Sequence, residues 1–518
     1  MDRSRVAVAK GATSLYMANV VVLVANTLYF LILTNVFRST LEVGIVTALN
    51  LMIWFLVTVC VMAQPLTVQS PIPAPLAVLK FIPELIARKA HSSAGRIFNL
   101  SMGITLGIAI VIGAVLISIP GEFAPLLGGT VVLPEYIQLS AVDVILLSLG
   151  QVCFASLIAV GEMRRATIYI ILWSVARYVL AAVLLFSYAI TGVLAGWIIG
   201  DGVLLAVALR SSVRIFRLGG SDTELSLVEF GRYSLITLVG ALIGYAINQA
   251  DKLFTLAQEG LPQLAIYNVA IVAASFAGLA PFALATVLLP ALSSMQASGQ
   301  LAEMRELVGD YSRYVCIIVL PVAVGFASIT QVALRIFGPS YVAGLIPSVI
   351  VSLATGLTAV GAVYASVLLA VGRLRWYTAA NVVGLATLAV VAFVATPALR
   401  LSGPALGRAG LMAMTAIIYA YATFRSGLFR LDVKAFVGAA GSSFLMGAIV
   451  FFALSFFHSF LYELAMVPVV IVLGVVVYLS ALRALRLLSV SDLEFIRELM
   501  PAKAHFIVKA VAKVAGVK

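Results

Sequence analysis

The chain has 518 residues, of which 63% are apolar and 10% are charged, and its mean hydropathy is +1.14. Soluble domains carry about 25% charged residues because their surfaces face water, so this composition excludes a water-soluble globule of this size. The net charge of +12 would suit a nucleic-acid-binding protein, but its distribution indicates membrane topology. Cys60, Cys153 and Cys316 lie in separate apolar runs and suggest neither a disulfide framework nor a metal site.

Apolar runs long enough to cross a bilayer recur along the chain. A helix needs about 20 apolar residues to cross a hydrocarbon core of about 30 Å. The sequence therefore predicts an all-α polytopic membrane protein with about fourteen transmembrane helices. These spans are predicted at residues 12–37, 42–63, 97–119, 136–160, 166–188, 191–211, 227–250, 264–290, 312–334, 343–371, 377–398, 403–424, 435–457 and 464–484.

The positions of lysine and arginine set the predicted orientation. With the N-terminus inside and the spans alternating, most of the 33 basic residues fall in cytoplasmic segments, where such residues are enriched. Arg177 lies inside a span. The outer loops hold Arg38, Lys252, Arg335, Arg400 and Arg408. We therefore predict a multi-pass protein of the cell membrane with both termini cytoplasmic and with membrane lipids, including anionic headgroups, as partners.

The chain also contains an internal repeat. Residues 157–167 read LIAVGEMRRAT and residues 368–378 read LLAVGRLRWYT, at an offset of 211. The same offset aligns Gly192 with Gly403. Six spans separate the copies, and this even number predicts two six-helix halves in parallel orientation, a known transporter plan. The predicted segments are an N-terminal bundle at 1–211, a cytoplasmic linker at 212–225, a C-terminal bundle at 226–424, two additional helices at 425–484 and a cytoplasmic amphipathic tail at 485–518.

Several short segments resemble the multidrug, oligosaccharidyl-lipid and polysaccharide exporter superfamily, and within it the polysaccharide transporters, or O-antigen-type flippases. The resemblance covers about residues 8–430. It is carried by the glycine turns after the fourth and tenth spans and by Leu41–Gly44, Gln249–Lys252, Tyr267 and Pro290–Leu292. Val43 stands where that family often has tyrosine, and the stretch from Pro65 to Pro83 looks like an insertion. The resemblance implies flipping of a lipid-linked oligosaccharide from the inner to the outer leaflet by alternating access.

Ionisable residues at membrane depth are costly and are therefore candidates for function. At 1.5 Å per residue, Arg177 and Asp201 lie about 15 Å deep in adjacent spans and are predicted to meet. Arg177 is a candidate for binding a substrate phosphate, because a guanidinium matches phosphate oxygens. Asp201 would then hold Arg177 or a coupling cation. The alternative is an ion pair that only fixes the hairpin.

Two aromatic residues share a helical stripe with Arg177. Tyr169, Trp173 and Arg177 recur every four residues, so the rings are candidates for stacking on sugars, although an aromatic stripe is more often ordinary packing. Asp143, about 10 Å below the outer surface, is either a proton or sodium site or a partly wet vestibule residue. Asp251 and Lys252 are expected at the membrane interface. No cofactor or metal is predicted, apart from H⁺ or Na⁺ as a coupling ion.

Other function classes fit the sequence less well. A membrane-embedded glycosyltransferase would need a carboxylate cluster on a sizeable outer loop, but the predicted outer loops are short and lack Asp-x-Asp. The chain has no nucleotide-binding motif, and an ion channel is disfavoured by the twofold repeat. A cation-coupled multidrug or metabolite antiporter of the same fold remains the alternative. A flippase would use a lipid-linked oligosaccharide as its partner, together with proteins of glycan assembly.

Overall fold

The computed structural model describes residues 3–37, 39–63, 77–88, 90–216, 227–457 and 459–488, and all regular structure within these residues is helical. The first eight helices are α1 Arg3–Val36, α2 Thr40–Val61, α3 Ala77–Ala87, α4 His91–Ser118, α5 Pro120–Phe123, α6 Pro134–Ala159, α7 Met163–Phe216 and α8 Leu227–Glu259. The others are α9 Leu261–Ala274, α10 Leu279–Ala297, α11 Leu301–Phe337, α12 Leu345–Ala370, α13 Leu374–Leu399, α14 Ser402–Phe424, α15 Val433–Ser455 and α16 Phe460–Ala484.

Each predicted span has a helix in the structure, except that the span predicted at 264–290 is divided between α9 and α10 by a 3₁₀ turn at Ser275–Gly278. Among the described residues, twelve helices are long and apolar enough to cross a membrane. One of them, α7, has 54 residues, which at 1.5 Å each is roughly 80 Å, more than twice a bilayer core. A sharp turn at Ala189 divides it into a first arm, residues 163–188, and a second arm, residues 190–216. The shorter apolar stretch Val20–Val36 of α1 supplies the remaining span. The predicted fold class is confirmed.

The chain separates into two compact units, Met1–Asn268 and Val269–Lys518. This boundary falls inside α9, beyond the predicted linker at 212–225, of which only residues up to 216 are described. The predicted amphipathic tail lies outside the described residues after 488. The predicted five-segment division therefore stays a prediction.

The internal repeat is visible in the backbone. Helix α6 runs from 134 to 159 and α12 from 345 to 370, so both ends differ by the predicted 211 residues. The turns that follow these helices contain Gly161 and Gly372, whose φ angles are 81° and 72°. A left-handed φ is accessible to glycine at little cost, which explains why both copies have glycine there.

The hairpin that follows is also duplicated. Ala189 has φ 50° and ψ −130°, and Arg400, 211 residues later, has φ 51° and ψ −130°. In the first copy the Ser212 hydroxyl donates to the Cys153 carbonyl at 3.3 Å. In the second, the hydroxyl of Thr423 donates to the carbonyl of Tyr364 at 3.4 Å. The two copies thus share helix bounds, turn conformations and a tertiary hydrogen bond.

The predicted insertion includes a helix that packs into the first unit. Residues 64–76 lie outside the described residues, but α3 follows them and buries Val78, Phe81, Ile82 and Leu85. Apolar residues at these spacings form one face of a helix, and this face packs on α4 and α6. The Lys80 ammonium lies 4.4 Å from the ring centroid of Tyr233 on α8. The helix is therefore part of the bundle.

In the second unit, α15 and α16 pack against α11. Asp432 caps α15 by accepting a hydrogen bond from the Ala435 amide at 2.9 Å. Arg313 of α11 donates one arm to Asp432 at 2.7 Å and the other to the Leu487 carbonyl at 2.6 Å. One guanidinium therefore links α11 to the start of α15 and to the segment after α16.

Candidate functional site

Three glycines bring the two arms of α7 into close contact. Gly192, Gly196 and Gly200 recur every four residues on the second arm and face the backbone of the first. A Cβ atom added at Gly200 would lie 2.4 Å from the Cα atom of Arg177. Small residues at this spacing let membrane helices approach closely. The glycines therefore place Arg177 directly beside the second arm.

Arg177 lies between two carboxylates. Its Nη1 atom donates a hydrogen bond to Asp201 Oδ2, and its Nη2 atom donates to Asp143 Oδ2 of α6 at 3.4 Å. The exposed fractions of Arg177, Asp143 and Asp201 are 1%, 0% and 0%. We call these three residues the charged cluster. The predicted meeting of Arg177 with Asp201 is found, and Asp143, expected to be partly wet or a separate ion site, is a third, fully buried member.

The aromatic stripe of the first arm also bonds to the second arm. Trp173 is buried, and its indole nitrogen donates to Asp201 Oδ1 at 2.5 Å. The Tyr169 hydroxyl shares a hydrogen bond with the Ser211 hydroxyl at 2.7 Å. The predicted stripe of Tyr169, Trp173 and Arg177 therefore faces one partner helix. Both oxygens of Asp201 are engaged, one by Trp173 and one by Arg177.

Aromatic rings enclose the charged cluster on its other side. The guanidinium carbon of Arg177 lies 4.8 Å from the ring centroid of Trp197 on the second arm, within cation–π distance. The Tyr29 ring of α1 lies 6.5 Å from that of Trp197 and 5.4 Å from that of Tyr178. Sequence reasoning missed Trp197 and Tyr29. Trp197 lies four residues before Asp201, so the helical spacing that groups Tyr169 with Trp173 would have found it.

The second copy of the hairpin lacks these charges. At the offset of 211, Leu388, Met412 and Ala354 stand where the first copy has Arg177, Asp201 and Asp143. Leu388 is fully buried in the same hairpin geometry. The fold of the hairpin therefore does not require the charged cluster.

A second polar group lies at the end of α8. Asp251 and Lys252 have exposed fractions of 0% and 7%, so both are buried within the protein, and their expected position at the membrane interface stays a prediction. The Tyr267 hydroxyl of α9 donates to Asp251 Oδ2 at 2.9 Å. The helix α8 extends to Glu259, beyond the predicted end of its span, so Asp251 and Lys252 are helical residues.

Comparison with known proteins gives one matching family. The family model described as "Polysaccharide biosynthesis protein" matches residues 86–342, just under half of the chain, and this range includes the charged cluster. No curated protein matches the sequence.

Solved structures match over most of the chain. A structure titled "Lipid II flippase MurJ, inward closed conformation" has a TM-score of 0.69 at 11% identity and covers 91% of this chain and 98% of its own. A variant of the Vibrio cholerae MATE transporter VcmN has a TM-score of 0.58 at 17% identity, covering 82% and 99%. A MOP superfamily transporter from Pyrococcus furiosus has a TM-score of 0.58 at 13% identity, covering 81% and 96%. The TM-scores establish a shared fold, and at these identities the similarity concerns the fold alone.

The chain therefore has the fold of polytopic membrane transporters such as the lipid II flippase and the MATE transporter, and residues 86–342 match the polysaccharide biosynthesis family. The solved structures to which the chain is similar are those of transporters, in agreement with the predicted class. The matching family is that of the polysaccharide biosynthesis proteins, so the resemblance stated from the sequence is confirmed over the matched residues.

Proposed function

We propose that this transporter flips a lipid-linked oligosaccharide, a precursor of a polysaccharide, from the inner to the outer leaflet by alternating access. The observation that carries this proposal is the match of residues 86–342 to the polysaccharide biosynthesis family, because this family description points to a saccharide substrate. The likeness in fold to a lipid II flippase over 91% of the chain supports it. A sugar-phosphate headgroup is costly to place in hydrocarbon, so a polar route through protein lowers the barrier to its crossing.

We assign the charged cluster to recognition of the anionic headgroup. Arg177 would exchange a carboxylate for a phosphate oxygen, because a guanidinium forms comparable paired hydrogen bonds with either. Asp201 would hold Arg177 until substrate arrives, with Trp173 fixing the position of Asp201. Trp173 and Tyr169 would contact the sugars after leaving their present partners. The support for this role is the buried charge present in one copy of the repeat and missing from the other.

The repeat supplies a variant that tests this assignment. The triple change Asp143→Ala, Arg177→Leu and Asp201→Met installs the residues of the second copy, so that no buried charge is left without a partner. Protein in liposomes would be given a fluorescent lipid-linked oligosaccharide with a diphosphate, and loss of fluorescence on adding a membrane-impermeant quencher would report movement between leaflets. We expect the triple variant to fold and to flip at least tenfold more slowly than wild type.

Arg165→Ala is the matched control, because Arg165 lies on the same arm with 52% of its side chain exposed. It should flip at the wild-type rate. Wild-type flipping by the triple variant would disprove the role of the charged cluster. Failure of the wild-type protein to move the lipid would disprove the flippase proposal itself.

The second candidate is a cation-coupled multidrug or metabolite antiporter. The likeness of the fold to the Vibrio cholerae MATE transporter over 82% of the chain favours it. In the same liposomes, cation-driven export of a small drug without movement of the lipid-linked oligosaccharide would establish this alternative.

A further inference from the structure

The charged cluster contains more acidic groups than basic groups. Asp143 and Asp201 are two carboxyls, and Arg177 is one guanidinium, so the cluster has a net charge of −1 when all three are ionised. All three are at most 1% exposed. An ion taken out of water costs several kcal/mol, and only a partner of opposite charge offsets that cost. One carboxylate of the cluster therefore lacks a full counter-charge.

The hydrogen bonds identify which carboxyl this is. Asp201 receives hydrogen bonds on both oxygens, from Arg177 and from Trp173. Asp143 receives one hydrogen bond from Arg177, long at 3.4 Å, on Oδ2. Its other oxygen, Oδ1, is buried and has no hydrogen-bond partner among the described residues. Asp143 is therefore the member whose negative charge is least compensated.

The helices packed on α6 bring no further positive charge to this depth within the described residues. Helix α7 contributes Arg177, Asp201 and the neutral Tyr178, and Tyr29 of α1 lies beyond them. Helix α2 contributes Glu42 in its first turn, and α5 contributes Glu122. Helix α3 carries Lys80 and Glu84, and the start of α4 carries His91 and Arg96. These residues lie toward the end of the bundle opposite to that of Asp143.

We propose that Asp143 is the proton-carrying residue of this transporter and that it holds a proton when the cluster is buried. Protonation of Oδ1 removes the uncompensated charge and leaves Arg177 paired with Asp201. Loss of the proton leaves a net negative charge in a dry site, which favours a state in which water reaches the cluster. Proton binding at Asp143 thereby selects between a closed and a hydrated cluster, and this coupling rests on the proposed function.

A proton fits this site better than sodium. Hard cations take several oxygen ligands at once. Both oxygens of Asp201 already accept hydrogen bonds, and the neighbouring side chains of Trp173, Trp197 and Tyr178 are mostly ring carbon. No group of three or more His, Cys, Asp or Glu that could hold a metal ion occurs among the described residues. One free carboxylate oxygen is enough for a proton but not for a sodium ion.

Infrared spectroscopy tests the proton directly. A protonated carboxyl has a carbonyl stretch separate from that of carboxylates, and in the reconstituted wild-type protein it should appear at neutral pH and fade as the pH is raised. Asp143→Asn should lack that band and Asp143→Glu should shift its frequency, while Asp201→Glu, which alters the ionised carboxyl paired with Arg177, should leave the frequency unchanged. A band unchanged in Asp143→Asn would overturn the proposal, as would its absence from wild type at every pH.

Transport separates this proposal from the flippase proposal. With lipid-linked oligosaccharide in liposomes, an imposed pH gradient should change the wild-type flipping rate severalfold, a sodium gradient should not, and Asp143→Asn should be insensitive to both. Flipping that follows only the sodium gradient would overturn the proton site and leave the flippase. The infrared band without any lipid movement would retain the proton site and overturn the flippase.

Discussion

At the scale of single residues, burial of charge in the first copy of the hairpin depends on a contact that only glycine permits. The missing side chain of Gly200 lets the backbone of the second arm reach that of Arg177, and Asp201 is the next residue along. The attraction within a buried ion pair offsets the cost of desolvation only when the geometry is good, because that cost is large. Gly200 therefore controls whether the pair forms at all.

Gly200→Ala should destabilise the protein, because its Cβ atom would lie 2.4 Å from the Arg177 Cα atom and the arms would have to separate. Overpacking of this kind costs about 1–3 kcal/mol, and loosening of the ion pair adds to it. Thermal unfolding in detergent would measure the change. Gly202→Ala is the control, since a Cβ atom there meets only a side-chain carbon of Leu146 at 3.9 Å. Equal melting temperatures for the two variants would contradict the prediction.

At the scale of helices, the attachment of α15 and α16 depends on a polar junction outside the spans. Partial burial raises the pKa of Asp432, but hydrogen bonds from the Ala435 amide and from Arg313 outweigh this effect and hold the pKa below its ordinary value. The folded protein therefore binds a proton at Asp432 less readily than the unfolded chain. The stabilisation is present above the ordinary carboxyl pKa of about 3.9 and is lost as the pH falls through the lowered value.

Asp432→Asn should lower the melting temperature at pH 7 and have little effect at the acid end, where wild-type Asp432 is also neutral. Asparagine still caps the helix, so the difference isolates the charge. Melting curves of both proteins from neutral to strongly acidic pH would measure it. Asp432→Ala, which removes the cap as well, should remain less stable at every pH. A wild-type advantage over Asp432→Asn that does not shrink on acidification would refute the assigned ion pair.

At the scale of the whole molecule, orientation in the membrane remains a prediction from the basic residues. Thr130 and Ser298 are both exposed in the structure, and the predicted topology places Thr130 outside and Ser298 in the cytoplasm. With Cys60, Cys153 and Cys316 replaced by alanine, single cysteines at these two positions can be labelled in intact cells with a membrane-impermeant thiol reagent. We expect labelling of Thr130→Cys alone, and of both after cell lysis. Labelling of Ser298→Cys alone in intact cells would mean that the orientation is inverted.

Sequence patterns predicted the helices and the repeat because both depend on residues that are close together in the chain. The apolar runs give the spans, and Gly161 and Gly372 give the same turn twice. The meeting of Arg177 with Asp201 followed from depth and from a short connection between spans. The third member, Asp143, could not be placed from sequence, because its contact depends on the packing of α6 on α7. The burial of Asp251 could not be predicted from sequence either, because it depends on the packing of α9, whose Tyr267 bonds to it.

The matched lengths of the two copies have a practical consequence. Residues 134–213 and 345–424 have the same number of residues, with the same turn conformations at the same internal positions. Either segment can therefore be substituted for the other without altering the spacing of the rest of the chain. A chimera carrying residues 345–424 in both places would keep the arrangement of helices and remove the charged cluster in one step. The duplication thus provides its own template for separating architecture from activity.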